Sequence, residues 1–281
     1  MRGIGVNNID HRLRQVDFND QDSTGLFPWL GVKIKDIESQ NALLLVGSNV
    51  RKDQPMINHR IRKASMSGAK VMCVNPLELE FNYNVDIQCV SDPVEMLNTL
   101  ATIAKASYTL SKNKIPAGLN DLLSSVRVSK TAKTIAENLH EAKDSVIFLG
   151  NFTVQHPGYS TLRALSSVIA DNTASKLGYL GESANTAGAW LAGLIPHRKE
   201  AGDSVDVAGM NAAQMLSHPK KVYILHDVEL EFDSDNPQQA RAAMDQAECV
   251  IAVTPYASAS LREYAEIILP SAAYSETSGT F

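Results

Sequence analysis

Three short stretches hold side chains whose types and spacing could do chemistry. The run "HDVELEFDSD" sets Asp227, Glu229, Glu231, Asp233 and Asp235 at alternate positions. On a strand those five carboxylates would share one face and could capture a hard cation. Five like charges side by side also repel, and Ser, Asp and Asn crowd the end of the run, so a solvated loop after the strand "KVYIL" is the expected structure. His156, in "QHPGYS", follows the strand "SVIFLG" at the carboxyl end, where open α/β sheets place ligands. It is the foremost histidine for acid–base work, although a turn histidine bonded to backbone is its ordinary role and the expectation here. His226, at the end of "KVYIL", is read the same way. "SETSGT" offers hydroxyls and Glu276 beside a glycine, which could meet a phosphate; a turn is expected.

The common cofactor signatures fail. A dinucleotide fold needs G-x-G-x-x-G between strand and helix, so that backbone amides can approach the pyrophosphate. After the strand "ALLLV" the chain reads "GSNVRKD", with one glycine, and "RGIGVN" has two glycines but no preceding strand. No P-loop lysine follows a glycine run, and H-E-x-x-H is absent. The three cysteines, Cys73, Cys89 and Cys249, are scattered and outside any C-x-x-C pair, which leaves no basis for a disulfide framework or a cysteine-ligated cluster.

In the elements that must position these groups, strand and helix signals alternate, the pattern of parallel sheets covered by helices. "ALLLV" (42–46) is continuously apolar, as a strand buried on both faces should be. Pro55 opens a helix whose stripe is Ile57, Ile61 and Ala64, and Gly68 ends it before "KVMCV". Asp92-Pro93 starts the next helix, with Glu95 placed for a capping box. The stretch 110–128 reads as a connection, and "LGYLGESANTAGAWLAGLIPHR" as a long ordered loop. Helix, "SVIFLG" and helix precede that loop. After it come "KVYIL", a helix capped by Asn236-Pro237, "CVIAV" and "EIIL". Residues 1–35 are too irregular for an assignment and must pack on something else.

The net charge of −5 argues against nucleic acid, since phosphate binding needs a concentrated basic surface. The longest apolar runs fall short of the ~18–20 residues a bilayer helix requires, and the amino terminus lacks an apolar signal core, so a cytosolic chain without membrane insertion is expected. Arg60, Arg62 and Lys63 fall off the apolar stripe of their helix, a solvated face or a partner surface.

"GSNVRKDQPMINHRIRKASMSGAKVMCVNP" resembles the molybdopterin oxidoreductase superfamily, with its glycine-x-asparagine turn, proline-led basic helix and glycine-alanine-lysine entry to the next strand. "GNFTVQHPGYSTLRAL", "YAEIILPSAAYSETSGTF" and "NNIDHRLR" extend the likeness over nearly the whole chain. Within the superfamily, "NNIDHRLRQVDF" and "RIRKA" look like the branch formed by the large iron–sulfur subunit of bacterial NADH:quinone oxidoreductase, respiratory complex I. The resemblance implies two three-layer α/β domains with parallel sheets, one inserted in the other: 36–128 as the insertion, 1–35 plus 129–281 as the parent. It implies that the family continues past Gly-Thr-Phe, so that Phe281 reads as the edge of a piece. It also implies a vestigial pocket rim at Gly47, Ser48, Asn49, Gln155, His156 and Glu276.

Where the molybdenum enzymes show Gly-x-Asn-Pro after the late strand, this chain has "ILHDVELE". A rim blocked by larger side chains, and no cap domain, would bind a pterin poorly. The expectation is therefore a cofactor-free scaffold with no catalytic or metal-binding residue of its own. Iron–sulfur clusters would lie in an upstream part of the parent protein, the partners would be other subunits of the complex I peripheral arm, and the location cytoplasmic and peripheral to the inner membrane. The alternatives are a truncated molybdopterin-binding oxidoreductase and a freestanding α/β enzyme using His156.

Overall fold

The computed structural model describes residues 2–23, 25 and 27–280. Phe281 lies outside them. The chain forms two compact units, one built from Asp17–Asp20 and Pro28–Ser183, the other from Met1–Val16, Gln21–Phe27 and Ala184–Phe281.

The first unit carries β1 (Ala42–Val46), α1 (Val50–Asp53), α2 (Pro55–Met66), β2 (Lys70–Asn75), β3 (Ile87–Val90), α3 (Pro93–Ser111), α4 (Asn120–Ser125), α5 (Lys130–Glu141), β4 (Ser145–Leu149), α6 (Asn151–Val154), α7 (Tyr159–Thr173) and β5 (Lys176–Tyr179). All five strands are parallel, in the order β3-β2-β1-β4-β5. The chain starts in the middle, moves one way to β3, then reverses. Because parallel crossovers are right-handed, the reversal sends helices to opposite faces. On one face Leu43, Leu45, Val71 and Phe148 pack with Ile57, Ile61 and Ala64 of α2. On the other, Leu44, Met72 and Ile147 meet Leu100 of α3, Ile135 of α5 and Leu165 of α7. The α/β class with parallel sheets and three layers holds for this unit. The domain boundary expected near residue 128 falls inside it, because β1 pairs with β4 in the register Leu44↔Ile147 and joins the two sides into one sheet.

The second unit carries α8 (Thr186–Leu191), α9 (Ala212–Ser217), β6 (Val222–His226), α10 (Leu230–Asp233), α11 (Pro237–Asp245), β7 (Cys249–Thr254), α12 (Leu261–Tyr264) and β8 (Ile267–Pro270). Its parallel sheet runs β6-β7-β8 in one direction only, so both crossovers lie on one face, where Ala240, Ala243, Met244, Leu261 and Tyr264 bury Tyr223, Val250 and Ala252. Among the described residues these helices pack on one face of the sheet.

Local signals explain most elements. The Asp92 side chain accepts the Glu95 amide at 3.0 Å to start α3; Glu95 itself turns to Asn98, so only half of the anticipated capping box forms. The connection expected at 110–128 contains α4, whose Leu123 is fully buried, and Lys105 Nζ donates to the Val126 carbonyl at 2.8 Å. The long loop expected around 177–198 hides β5 and α8. Gly178 masks the strand signal, yet glycine is required there: a Cβ would lie 2.0 Å from the Leu30 carbonyl oxygen, because residues 29–31 cover the open edge of β5 and Trp29 O accepts the Tyr179 amide at 2.9 Å.

The amino-terminal residues thus find their packing. In the second unit, Asp10 is buried against Arg12, whose Nε reaches Oδ1 at 2.8 Å, and accepts the Ala212 amide at 3.1 Å. Arg12 sits 5.3 Å from the Trp190 ring centroid.

Gly178→Ala should lower unfolding free energy by about 2–3 kcal/mol, the range for overpacking a closed site, whereas Gly118→Ala, with open space around it, should leave the urea midpoint nearly unchanged. Equal midpoints for the two variants would refute the edge-cover contact.

Candidate functional site

A doubly wound sheet binds ligands outside the carboxyl ends of its strands, where the strand order reverses. Here that point lies between β1 and β4. The loops leaving them are Gly47-Ser48-Asn49 and Gly150-Asn151, so Gly47, Ser48 and Asn49 stand where the sequence placed a rim.

These loops close on each other through backbone. Gly150 N donates to Val46 O and Phe152 N to Gly47 O, both at 2.9 Å, while Gly47 N donates to Val74 O at 2.8 Å and Ser48 N to Asn75 Oδ1 at 2.7 Å. Gly47 has φ +57, and a Cβ on it would lie 2.6 Å from Thr153 Cγ2; a Cβ on Gly150 would lie 2.4 Å from that of Ser48. Both glycines let one loop enter the space of the other. An early amide of α6, the kind of donor that elsewhere faces a phosphate, is consumed by Gly47 O. The next helix is occupied too: Ser160 N and Oγ, in the first turn of α7, donate to Asp17 Oδ2 at 2.8 and 2.6 Å. Burial pushes the Asp17 carboxyl up, but hydrogen bonds from Ser160 and Asn19, with Arg163 nearby, hold it below the usual carboxylate range.

Some polar atoms at this edge keep no partner. Ser48 Oγ and Asn75 Nδ2, both on residues with no solvent exposure, and Asn151 Oδ1 are buried without a hydrogen bond. Asp53 bonds Asn151 nearby, and burial raises its carboxyl despite that bond and the Asn49 amide. Neutral groups and an acid therefore line the edge.

His156 has the backbone role. Its Nε2 donates to Pro93 O at 2.5 Å and its Nδ1 accepts the Gly158 amide at 2.8 Å, which fixes one neutral tautomer and ties the start of α3 to the entry of α7. Both ring nitrogens are bonded to backbone. Gln155 is exposed at the end of α6. Glu276 lies exposed in the turn Tyr274–Glu276 of the second unit.

The carboxylate run forms a bend at Asp227 and then the short helix α10 rather than a strand. Asp227 takes φ +50 and accepts Ser271 Oγ at 2.8 Å, Glu231 is bonded by Ser260 Oγ, and Asp233 pairs with Arg14 at 3.1 Å. The acids disperse to separate partners. Arg60 and Lys63 both reach Glu38, which lowers that carboxyl; the basic helix face is engaged within its own unit. Cys73 and Cys89 face opposite sides of the sheet, and burial pushes the Cys73 thiol up to about 12. Among the described residues no cluster of three or more His, Cys, Asp or Glu could hold a metal, and no helix is long and apolar enough to cross a membrane.

Sequence reasoning missed His197. It is 9% exposed, lies edge-on to Trp190 at 5.6 Å, and neither ring nitrogen has a hydrogen-bond partner. Burial, then Arg12 and Arg198, hold its pKa down to about 4, against the opposing pull of Asp10 and Asp22. Nothing in "LIPHR" distinguishes it from a surface histidine.

The whole chain, residues 1–281, matches the molybdopterin oxidoreductase family model. The chain belongs to the molybdopterin oxidoreductase family. A curated member, the F420-dependent formate dehydrogenase subunit alpha of Methanocaldococcus jannaschii, is 30% identical over 108 residues, which are 36% of this chain and 16% of that protein. Among solved structures, a chain of the formyltransferase/hydrolase complex (FhcABCD) from Methylorubrum extorquens shares the fold at TM-score 0.55 and 14% identity, over 86% of this chain and 65% of that one. The matches thus span less than two thirds of either relative.

His156→Ala should lower the unfolding free energy by about 1–3 kcal/mol, since it removes both ties, to the Gly158 amide and the Pro93 carbonyl; an unchanged urea midpoint would contradict the double tie. For His197 the ordinary value near 6.5 drops to about 4 on folding, so the neutral ring's contribution is complete above pH 6.5 and is lost as pH falls through 4. Between those limits the wild type should lose up to about 3 kcal/mol that His197→Phe retains; parallel stability curves would contradict this.

Proposed function

We propose that this chain is the body of a large iron–sulfur subunit of the complex I type, a scaffold that binds no molybdopterin. The observation that carries the reading is the sealed edge between β1 and β4. A phosphate-bearing pterin needs free amides at a helix start and positive or neutral surroundings. Here Phe152 N is bonded to Gly47 O, the first turn of α7 is held by the Asp17 carboxylate, and Asp53 stands at the rim. The residues present do not fit the group.

On this reading the electrons travel elsewhere in the parent complex, from NADH through iron–sulfur clusters to quinone, and these residues hold neighbouring subunits of its peripheral arm. The protein would lie in the cytoplasm, at the inner membrane by way of the complex. Both relatives named above are described as parts of larger assemblies, a subunit alpha and a complex, which supports a subunit role. The second reading is a molybdopterin-binding oxidoreductase represented by part of its chain. The likeness to a formate dehydrogenase subunit and the three unpaired polar atoms at Ser48, Asn75 and Asn151 favour it.

Purification of the complete gene product from its own cells separates the two. The scaffold reading expects iron by elemental analysis and no stoichiometric molybdenum, tungsten or fluorescent pterin after denaturation. One pterin per chain would establish the second reading instead.

A further inference from the structure

Residues 105–133 run against the charge of the rest of the chain. They hold six bases, Lys105, Lys112, Lys114, Arg127, Lys130 and Lys133, and one acid, Asp121, while the whole chain has a net charge of −5. All of the bases except Lys105 are exposed. Lys105 Nζ donates to Val126 O at 2.8 Å, which lays the segment carrying Arg127 along α3. The other end of the connection is pinned as well: Ser111 Oγ and Asn113 Nδ2 both donate to Asn172 Oδ1 of α7 at 2.9 Å and fix the turn that holds Lys112 and Lys114. Leu123 and Val126 pack into the same core as α3, α5 and α7. The bases are therefore presented on an anchored surface of the first unit.

The fold gives these charges little compensation. Elsewhere in the unit bases meet acids: Arg60 and Lys63 reach Glu38, Lys70 reaches Asp86 and Arg163 reaches Asp20. Of the six bases here, among the described residues, Lys133 alone pairs with an acid, Glu137 at 3.5 Å. Their placement also costs the helix that carries two of them. A helix start bears partial positive charge and is stabilised by acids, yet α5 has Lys130 in its first turn and no acid there, with Arg127 just ahead of it. A local rule broken without return inside the unit is expected where the surface serves a contact. The neighbouring side chains narrow the partner. Nucleic-acid surfaces join bases to stacking aromatic rings, but Tyr108, the one aromatic residue of the stretch, is 8% exposed. Membrane surfaces add a broad apolar face, but of the large apolar side chains described in the stretch only Val128 is exposed. An acidic protein surface needs neither, and opposite charge is what guides such an encounter.

We propose that Lys112, Lys114, Arg127, Lys130 and Lys133 form a docking surface for a second protein, one that presents a cluster of Asp and Glu side chains, with Val128 as the apolar contact among the charges. The proposal stands apart from the scaffold reading, because a pterin-binding member would present the same surface, and analysis for iron, molybdenum or pterin does not bear on it.

The test places a photo-cross-linking phenylalanine at Val128 of the complete gene product in its own cells. The expected product is a cross-link to a peptide of another protein in which Asp and Glu outnumber Lys and Arg, and the triple variant Lys112→Glu, Arg127→Glu, Lys130→Glu should lose it. A product that survives the reversal, capture of lipid, nucleic acid, a non-acidic peptide or a second copy of this chain, or no capture at all, would each overturn the proposal. With purified gene product and labelled polyglutamate at low salt, the same triple variant should bind about tenfold more weakly, the sum of a few exposed ion pairs. An equal loss on reversing the exposed Lys33, Lys35 and Lys52 instead, which changes the net charge by the same amount, would overturn it. Lys130→Glu alone should raise the melting temperature, since an acid replaces a base at a helix start, while weakening polyglutamate binding. A lower melting temperature or an unchanged affinity would overturn it as well.

Discussion

Two backbone hydrogen bonds, Gly150 N to Val46 O and Phe152 N to Gly47 O, hold together the middle of the five-stranded sheet. They join the loops leaving the two strands at which the sheet reverses, the point where this architecture ordinarily opens a crevice. Contact this close is possible because both loops carry glycine where a Cβ would collide. Free amides at such a point attract anions; amides already bonded to carbonyls do not. The sheet is thereby continuous across its middle, and β1 is buried on both faces.

The remaining polar features follow the same logic of internal satisfaction. His156 spends both nitrogens on backbone, Asp17 spends its carboxylate on the first turn of α7, and Arg60 and Lys63 converge on Glu38. Groups that a sequence would nominate for chemistry are ties between elements. There are exceptions, among them Ser48 Oγ, Asn75 Nδ2, Asn151 Oδ1 and the two nitrogens of His197, which are buried without partners. Each is costly to leave so, at about 1–3 kcal/mol.

Much of this was legible. The uninterrupted apolar run at 42–46 announced a central parallel strand, Pro55 and Asp92-Pro93 announced helix starts, and the alternation of elements announced the α/β class. Strand β5 was not, because its signal is broken by Gly178, whose presence answers a contact with Leu30, far earlier in the chain. The boundary between units was misplaced for the same reason: only the pairing of β1 with β4 reveals it, and periodicity within a segment carries no record of its neighbour in the sheet. His156 follows the strand β4 only after the short helix α6, and its partners, Pro93 and Gly158, become visible only when α3 and α7 are brought together. His197 gave no sign at all, since burial by Trp190 and Arg12 is a tertiary fact.

Closure between the β1 and β4 loops is reported directly by amide hydrogen exchange at Phe152. The bond to Gly47 O should make this amide slow to exchange, with protection unchanged by saturating inorganic pyrophosphate. Rapid exchange in the free protein, or protection that appears only when pyrophosphate is added, would contradict a sealed edge.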